Sequence, residues 1–435
     1  MPVEAARRAT GARRVIIGRL VSLFGQRLLA TVLALWVVAI AGSPVVAAAL
    51  PDSTWVALPS LPNQARAALF ALAVDPFGNQ LVIAGDAQGS LFRSTNGGAT
   101  WSSVHAGKAS ITTLAFSPST QGVALAGTRG SGGLMSRDNG ATWSAMRGLE
   151  GRTVRAFAFA LTLVAAGTDH GVYVSPDGLT WTQSGLATRN INAIAVEAIH
   201  APARLVAGGD APASGSALPL YESLDGGATW RQISPAISGT IAVRLVAGPL
   251  PPTGNVRPLL LGTNTGLFAS RDNGASFTAL SGGGLLPTTD YTQAAFLTDH
   301  YDRYYVASDG GGSGAGGVWR TNNAGQTFTP LLPPEASITA LAVSNDEKPI
   351  LYVAAFRPSS HAISLWAYHD TGGAPQGPPA TASPAASGAR PTPHGGGSLV
   401  DQLLASPQLP YIGLGLGALA VLFTAVAAHL RGRYR

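Results

Sequence analysis

The stretch SRDNGATW, from Ser136 to Trp143, decides the fold of this chain because it recurs along most of its length. Five other copies share its pattern with small departures: STNGGATW at Ser94–Trp101, SPDGLTW at Ser175–Trp181, SLDGGATW at Ser223–Trp230, SRDNGASF at Ser270–Phe277 and TNNAGQTF at Thr321–Phe328. Successive copies begin 39 to 51 residues apart. A repeat with a period of roughly 40–50 residues predicts a propeller or a solenoid.

Each copy has the composition of a tight turn that leads into a strand. An Asp or Asn in third position can accept hydrogen bonds from backbone N–H groups two or more residues on, and the Gly after it supplies a positive φ. The opening Ser or Thr adds a second acceptor, and the closing Thr-Trp begins a strand with a buried ring. We therefore expect a structural role for the third-position residues, which are Asn96, Asp138, Asp177, Asp225, Asp272 and Asn323.

These turns resemble the Asp-box (BNR) repeat, S-x-D-x-G-x-T-W, over residues 53–370. That repeat is found in sialidases, xyloglucanase-type glycoside hydrolases, sortilin-like receptors and photosystem II assembly factors. The resemblance implies an all-β propeller. It implies little about activity, because these families share blades and differ in function.

The pattern between the turns predicts seven blades. Residues 109–146 show one full unit, with an alternating apolar strand, a second strand ending in Ala-Gly-Thr, a short third strand and a strand after the turn. Six units carry the repeated turn, and a seventh, Ala336–Asp370, lacks both the turn and an outer strand. The segment STWVALPSLP at Ser53–Pro62 can supply that strand and close the ring, which would remove two exposed edges. Six blades is the alternative if the last unit packs irregularly.

The charge of the chain lies outside the predicted propeller. The formal net charge is +6 and the isoelectric point is about 9.8, but residues 51–400 carry a net charge of −1. Basicity therefore gives no reason to expect nucleic acid as a partner. The chain has no cysteine, which excludes disulfides and thiolate chemistry, and we expect no metal or cofactor.

Both ends predict a membrane-anchored, exported protein. Residues 1–49 combine an arginine-rich start, an apolar run and small residues before Ala49, which is typical of a cleaved signal peptide; an uncleaved N-terminal anchor is the alternative. The propeller is expected at 50–370 and a Pro/Gly/Ala-rich linker at 371–409. Residues 410–430 are long and apolar enough for a transmembrane helix, and the basic tail 431–435 predicts a cytoplasmic C-terminus.

Polar residues of the expected loops are the candidates for a ligand site. In the resembled families, ligand sites lie on the face opposite the repeated turns. The loops between second and third strands there offer Asp86, Arg129, Asp169, His170, Asp210, Asn264, Asp309, Arg357 and His361, and the loops between blades add His105, Lys108, Glu150, Arg152 and Arg189. Such a face suits a polar ligand, and solvated loops are the alternative.

Two enzyme hypotheses follow from the resemblance. A sialidase needs three arginines and a Tyr–Glu pair, but the Arg-Ile-Pro expected before the first repeat is absent, and the adjacent Tyr221 and Glu222 point to opposite faces of a strand. A xyloglucanase-type hydrolase needs two carboxylates across a cleft. Those could come from the four loop aspartates, Asp86, Asp169, Asp210 and Asp309.

We therefore predict an exported, membrane-anchored propeller that binds a protein or glycan without catalysis. A glycoside hydrolase that uses the loop aspartates is the alternative function. The sequence predicts neither the ligand nor the oligomeric state.

Overall fold

A computed structural model describes residues 50–62, 69–197, 202–212, 217–233, 237–311, 315–357, 360 and 362–374. All described residues belong to one compact unit of the chain. The predicted signal segment, the transmembrane helix and nearly all of the predicted linker lie outside the described residues. No helix within the described part is long and apolar enough to cross a membrane.

The described residues form seven antiparallel sheets of four strands each. The innermost strands are β2 (Leu69–Asp75), β6 (Ile111–Phe116), β10 (Val154–Phe159), β14 (Ile191–Val196), β18 (Ala242–Ala247), β22 (Gln293–Leu297) and β26 (Ile338–Val343). The second strands are β3 (Gly78–Asp86), β7 (Ala124–Thr128), β11 (Val164–Thr168), β15 (Leu205–Gly209), β19 (Leu259–Thr263), β23 (His300–Ser308) and β27 (Ile350–Arg357). The third strands are β4 (Ser90–Ser94), β8 (Gly133–Ser136), β12 (Gly171–Ser175), β16 (Leu220–Ser223), β20 (Gly266–Ser270), β24 (Gly317–Thr321) and β28 (Ala362–His369). The outermost strands are β5 (Ser102–Ala106), β9 (Ser144–Ala145), β13 (Thr182–Gly185), β17 (Arg231–Ile233), β21 (Thr278–Ala279), β25 (Thr329–Pro330) and β1 (Trp55–Ala57).

The seven sheets are blades arranged in a closed ring. Each innermost strand contacts the innermost strand of the next blade, and β26 of the last blade contacts β2 of the first. The second strand β7 is buried along its whole length, whereas the outermost strand β9 is exposed. This gradient follows because neighbouring blades cover both faces of a sheet near the centre of the ring. The seven-bladed propeller is confirmed, and the six-bladed alternative is wrong because the last unit forms a regular sheet.

The ring is closed by the N-terminal strand, as predicted. Strand β1 pairs with β28 in the register Trp55↔Tyr368, Val56↔Ala367 and Ala57↔Trp366. The Trp55 ring is buried, and its Nε1 donates to the carbonyl of Leu331 at 2.6 Å. The last blade therefore contains strands from both ends of the described chain, and β1 covers the edge of β28 at Trp366, Ala367 and Tyr368.

Connections alternate between the two faces of the ring because neighbouring strands are antiparallel. One face carries the six repeated turns and the turns between first and second strands, and we call it the turn face. The opposite face carries the loops between second and third strands and the loops between blades, and we call it the loop face.

The repeated turns share one hydrogen-bond pattern. At Ser136, the hydroxyl accepts the N–H of Gly140 at 2.8 Å and donates to Asp138 Oδ1 at 2.8 Å. Asp138 also accepts the N–H of Thr142 at 2.9 Å and its hydroxyl at 2.6 Å. The fourth and fifth residues, Asn139 and Gly140, both have positive φ. The third-position side chain is thus saturated by its own turn.

The carboxylates of these turns should make the propeller sensitive to acid. Hydrogen bonds, first from the Thr142 hydroxyl and then from its N–H, lower the pKa of Asp138 from 3.8 to about 2. Because the folded pKa is lowered, the stabilisation is present above the unfolded value of 3.8 and is lost as the pH falls towards 2. We therefore expect the melting temperature of Asp138→Asn to fall less than that of the wild type when the pH is lowered from neutral to between 3.8 and about 2.

The chain itself supplies the precedent for that substitution. Asn96 accepts the N–H of Thr100 at 2.9 Å and donates to its hydroxyl at 2.9 Å, so an asparagine keeps the turn without a titrating group. Asp299→Asn, in the turn between β22 and β23, controls for the loss of one negative charge. An equal acid-induced loss in the wild type and in Asp138→Asn would contradict the expectation.

Candidate functional site

The seven innermost strands enclose a channel with a volume of about 960 Å³. Its wall is made largely of small and branched apolar side chains, with phenylalanines from several blades. The described residues that line it include neither tryptophan nor tyrosine. Its polar groups are concentrated where the innermost strands begin, which is at the loop face.

A repeated β-bulge shapes the mouth of the channel at the loop face. The register between first and second strands shifts at the second residue of the innermost strand in six blades. In five of these blades the bulged residue is a described lining residue of the channel, and Thr292 takes the same place ahead of β22. We call this set the mouth ring; it consists of Thr112, Arg155, Asn192, Val243, Thr292 and Thr339. A bulge re-aims a side chain, and bulges are common beside binding sites.

Glycines of the second strands allow the blades to approach closely at the level of these bulges. A Cβ on Gly127 would lie 2.7 Å from the carbonyl oxygen of Val154, the first residue of the next innermost strand. A Cβ on Gly262 would lie 2.0 Å from the carbonyl oxygen of Tyr291 in the same way. The Ala-Gly-Thr ending noted in the sequence is therefore a packing requirement between blades.

Two arginines lie at or next to the mouth ring without a partner for part of their guanidinium groups. Arg155 is exposed and forms no hydrogen bond or ion pair with the described residues. Arg244 follows Val243, and its buried Nε has no hydrogen-bond partner among the described residues. Burial lowers the pKa of the Arg244 side chain. A ligand with a carboxylate would supply the acceptors that these groups lack.

A pair of carboxyl groups lies across the mouth from Arg155. Asp290, just before β22, and Asp309, just after β23, both line the channel at neighbouring strand ends. Burial, and then the neighbouring Asp290 carboxylate, raise the pKa of Asp309 to about 7. These groups belong to the sixth blade and Arg155 to the third, so they stand on opposite sides of a seven-bladed ring.

Three of the four predicted loop aspartates accept hydrogen bonds from residues of their own or neighbouring loops. Asp86 is buried and accepts the N–H groups of Gln88 and Ser90 at 3.0 and 2.7 Å. Each of these bonds closes the loop between β3 and β4. The carboxylate therefore holds a loop in shape, in the same manner as the repeated turns.

Asp169 and Asp210 bind neighbouring loops. Asp169 accepts the N–H of Thr153 at 3.0 Å from the preceding interblade loop, and Asp210 accepts the amide groups of Asn190 and Asn192 at 2.8 and 2.6 Å. Asp210 thus orients one member of the mouth ring. Of the predicted aspartates, only Asp309 lines the channel among the described residues.

The remaining predicted ligand residues are spread over the loop face and do not converge. Arg129 is exposed outside the mouth ring, and His170 lies 3.3 Å from Asp169 through its Nδ1. Asn264 accepts the N–H groups of Thr240 and Ile241 and closes an interblade loop. Arg357 is paired with Glu335. His361 lies outside the described residues.

The two residues weighed for a sialidase pair are separated. Tyr221 packs in an apolar cluster, whereas Glu222 is buried and paired with Arg204 and Arg231. Arg204 also pairs with Glu197. Glu222 is therefore a member of a structural ion network.

No protein-family model and no curated protein sequence matches the chain. Solved structures with the same fold include YCF48 bound to a D1 peptide, at 17% identity over 74% of this chain and 96% of that chain, with a TM-score of 0.50. They also include U3-55K, at 12% identity over 74% of this chain and 100% of that chain, with a TM-score of 0.54. At these identities the likeness shows the β-propeller fold alone.

The fold is also similar to an enzyme structure. The GH74 xyloglucanase from Xanthomonas campestris is 13% identical over 73% of this chain, with a TM-score of 0.53. The match covers only 56% of the xyloglucanase chain. Binding proteins and hydrolases thus share the architecture, and the function must be argued from the residues of the channel mouth.

Proposed function

We propose that this chain is an exported, membrane-anchored Asp-box propeller that binds a protein segment at the mouth of its channel and performs no chemistry on it. The observation that carries the proposal is the mouth ring. Recurrent bulges bring side chains with hydrogen-bonding groups from several blades to one opening, next to arginines without partners.

The chemistry of the mouth favours a peptide with an acidic group. Arg155 and the Nε of Arg244 offer donors for a carboxylate, and the buried Thr292 hydroxyl, which has no hydrogen-bond partner among the described residues, can bond to a peptide backbone. The Thr112 and Thr339 hydroxyls already donate to the carbonyls of Val154 and Ala354. Glycans usually require aromatic platforms, and the described lining of the channel has no tryptophan or tyrosine. The peptide bound to the YCF48 propeller gives a parallel for peptide binding by this fold.

Glycoside hydrolysis is the second candidate, and one observation favours it. Asp309 has a raised pKa in a shared cavity, which is a property of general acids. However, hydrolases hold their two carboxyl groups about 5–9.5 Å apart to accommodate a sugar or water between them. Asp290 and Asp309 flank two paired strands of one blade, so they stand side by side and not on two sides of a cleft. Sugar released from polysaccharides by the wild type but not by Asp309→Asn would establish the hydrolase instead.

Cross-linking from a single cysteine tests the binding proposal. Because the natural chain has no cysteine, Val243→Cys places one photoactivatable label in the mouth ring. We expect it to join the full chain to a discrete polypeptide in native membranes. Ser119→Cys, at the turn-face end of the same channel, is the matched control and should give no such adduct.

A further inference from the structure

The turn face exposes more large apolar side chains than the loop face. Among the described residues, Leu161 (64% exposed), Leu224 (54%), Leu250 (51%) and Phe77 (48%) lie on the turn face. Of the loop-face residues that the structure describes, only Leu332 and Ile241 are comparable, at 56% and 38%. Phe77, Leu161 and Leu250 each occupy the turn between the first and second strand of a blade, so they surround the channel opening. They come from the first, third and fifth blades, so exposed apolar groups are distributed around that opening.

The chain also enters and leaves the ring on the turn face. Strand β28 ends there and β1 begins there, and the two ends touch. The N–H of Ser53 donates to the carbonyl of His369 at 2.9 Å, and the Ser53 hydroxyl lies 3.2 Å from the hydroxyl of Thr371. The segment that follows Ala374 leads to the proposed transmembrane helix at 410–430. The anchor is thus attached to the face that carries the apolar side chains.

We propose that the turn face lies against the bilayer surface, with Phe77, Leu161 and Leu250 inserted among the lipid headgroups. This inference rests on the membrane anchoring proposed above and adds an orientation to it. The loop face and its channel mouth then point away from the membrane, towards the protein segment that the mouth binds.

Tethering allows a small apolar surface to suffice for this contact. Side chains of interfacial segments insert about 5–10 Å into the boundary between headgroups and acyl chains. A tether converts the docking into an intramolecular step with a high effective concentration, so little intrinsic affinity is needed.

The charges of the turn face set the lipid preference. Arg137 stands beside Asp138 and Arg271 beside Asp272, whereas Asp177 and Asp225 hold the same turn position without an adjacent arginine. The Asp138 and Asp272 carboxylates are held by hydrogen bonds within their turns. Because these carboxylates leave no excess of positive charge that would attract anionic lipid, we expect the contact to form on zwitterionic phosphatidylcholine.

Single-cysteine labelling of the full chain tests the orientation. Phe77→Cys, Leu161→Cys and Leu250→Cys would each carry an environment-sensitive fluorophore, and Ile241→Cys and Leu332→Cys would carry it on the loop face as exposed apolar controls. The proteins are reconstituted into phosphatidylcholine vesicles whose acyl chains are brominated. We expect turn-face labels to lose roughly half of their emission or more, because insertion at the depth of interfacial side chains reaches the bromines. Loop-face labels should keep theirs.

Flotation of the same vesicles separates the two proposals. A chain that floats with the vesicles but shows no quenching on the turn face would overturn the proposed orientation. It would still be consistent with the membrane anchor. Equal quenching on both faces would overturn the orientation as well. A chain that fails to float would refute the anchor and the orientation together.

Discussion

Asp370→Ala should lower the free energy of unfolding of the propeller by about 3–5 kcal/mol. Asp370 is fully buried at the end of β28, where its Oδ2 accepts the hydroxyl of Tyr305 at 2.6 Å and its Oδ1 is paired with Arg320. Arg303 approaches the same carboxylate at 3.5 Å. The Asp370 carboxylate therefore connects the last strand to the sixth blade. We call Asp370, together with Tyr305, Arg320 and Arg303, the clasp.

Removing the Asp370 carboxylate destabilises the fold because it leaves a buried arginine without its partner. Arg320 is itself only 4% exposed and would lose its carboxylate partner. Removing one partner of a buried ion pair costs about 3–5 kcal/mol, against a total of about 5–15 kcal/mol for a typical protein. We expect a loss of about this size in the free energy of unfolding from denaturant titration of the full chain.

Two variants make the prediction specific. Asp52→Ala removes an exposed carboxylate that pairs with His369 at 2.9 Å beside the clasp, and such surface pairs contribute about 0–1 kcal/mol. The double variant Asp370→Ala/Arg320→Ala should lose less free energy of unfolding than the two single variants added together. Once Asp370 is absent, removing Arg320 breaks no further ion pair with it. Additive losses, or an equal effect of Asp52→Ala, would refute the clasp.

Trp55→Ala should open the ring. The Trp55 side chain is buried, packs on Tyr368 with ring centroids 4.9 Å apart, and donates to the carbonyl of Leu331. Truncating a buried aromatic costs about 3–5 kcal/mol. Because β1 has only three residues, we expect the loss to detach it and to expose the edge of β28.

Limited proteolysis distinguishes ring opening from general destabilisation. Trp181→Ala is the matched control, because Trp181 is also buried but lies within the third blade. Both variants should unfold at lower denaturant concentration. Only Trp55→Ala should be cut early near the N-terminal strand and self-associate through the free edge. The same cleavage pattern in both variants would contradict this account of closure.

The sequence predicted the architecture well because the repeat combines turn chemistry with period-2 strands. The copies of SRDNGATW located the blades, and the segment at Ser53 predicted the closing strand. The clasp was not predicted. Asp370 follows the last strand where the other blades carry the repeated turn, and nothing local shows that two arginines of another blade converge on it.

The candidate site was predicted less well, for two physical reasons. A bulge shifts the register by one residue, so the mouth ring cannot be recognised from the alternation of apolar and polar residues. The one signal in the sequence is a polar residue directly after the buried first residue of the innermost strand, which recurs at Thr112, Arg155 and Asn192. Asp290 and Asp309 meet because the start of one strand and the end of its antiparallel neighbour lie together. Asp86 was a ligand candidate by position, yet an aspartate before free N–H groups commonly closes its own loop.

The measurement that tests the binding function most directly is the yield of the Val243→Cys adduct in native membranes, with and without Arg155. We expect a discrete cross-linked polypeptide that is lost in Arg155→Ala and kept in Arg129→Ala, since Arg129 is exposed on the same face outside the mouth ring. The proposed binding function would be contradicted if Val243→Cys formed no adduct. It would also be contradicted if the adduct survived Arg155→Ala and formed equally from Ser119→Cys.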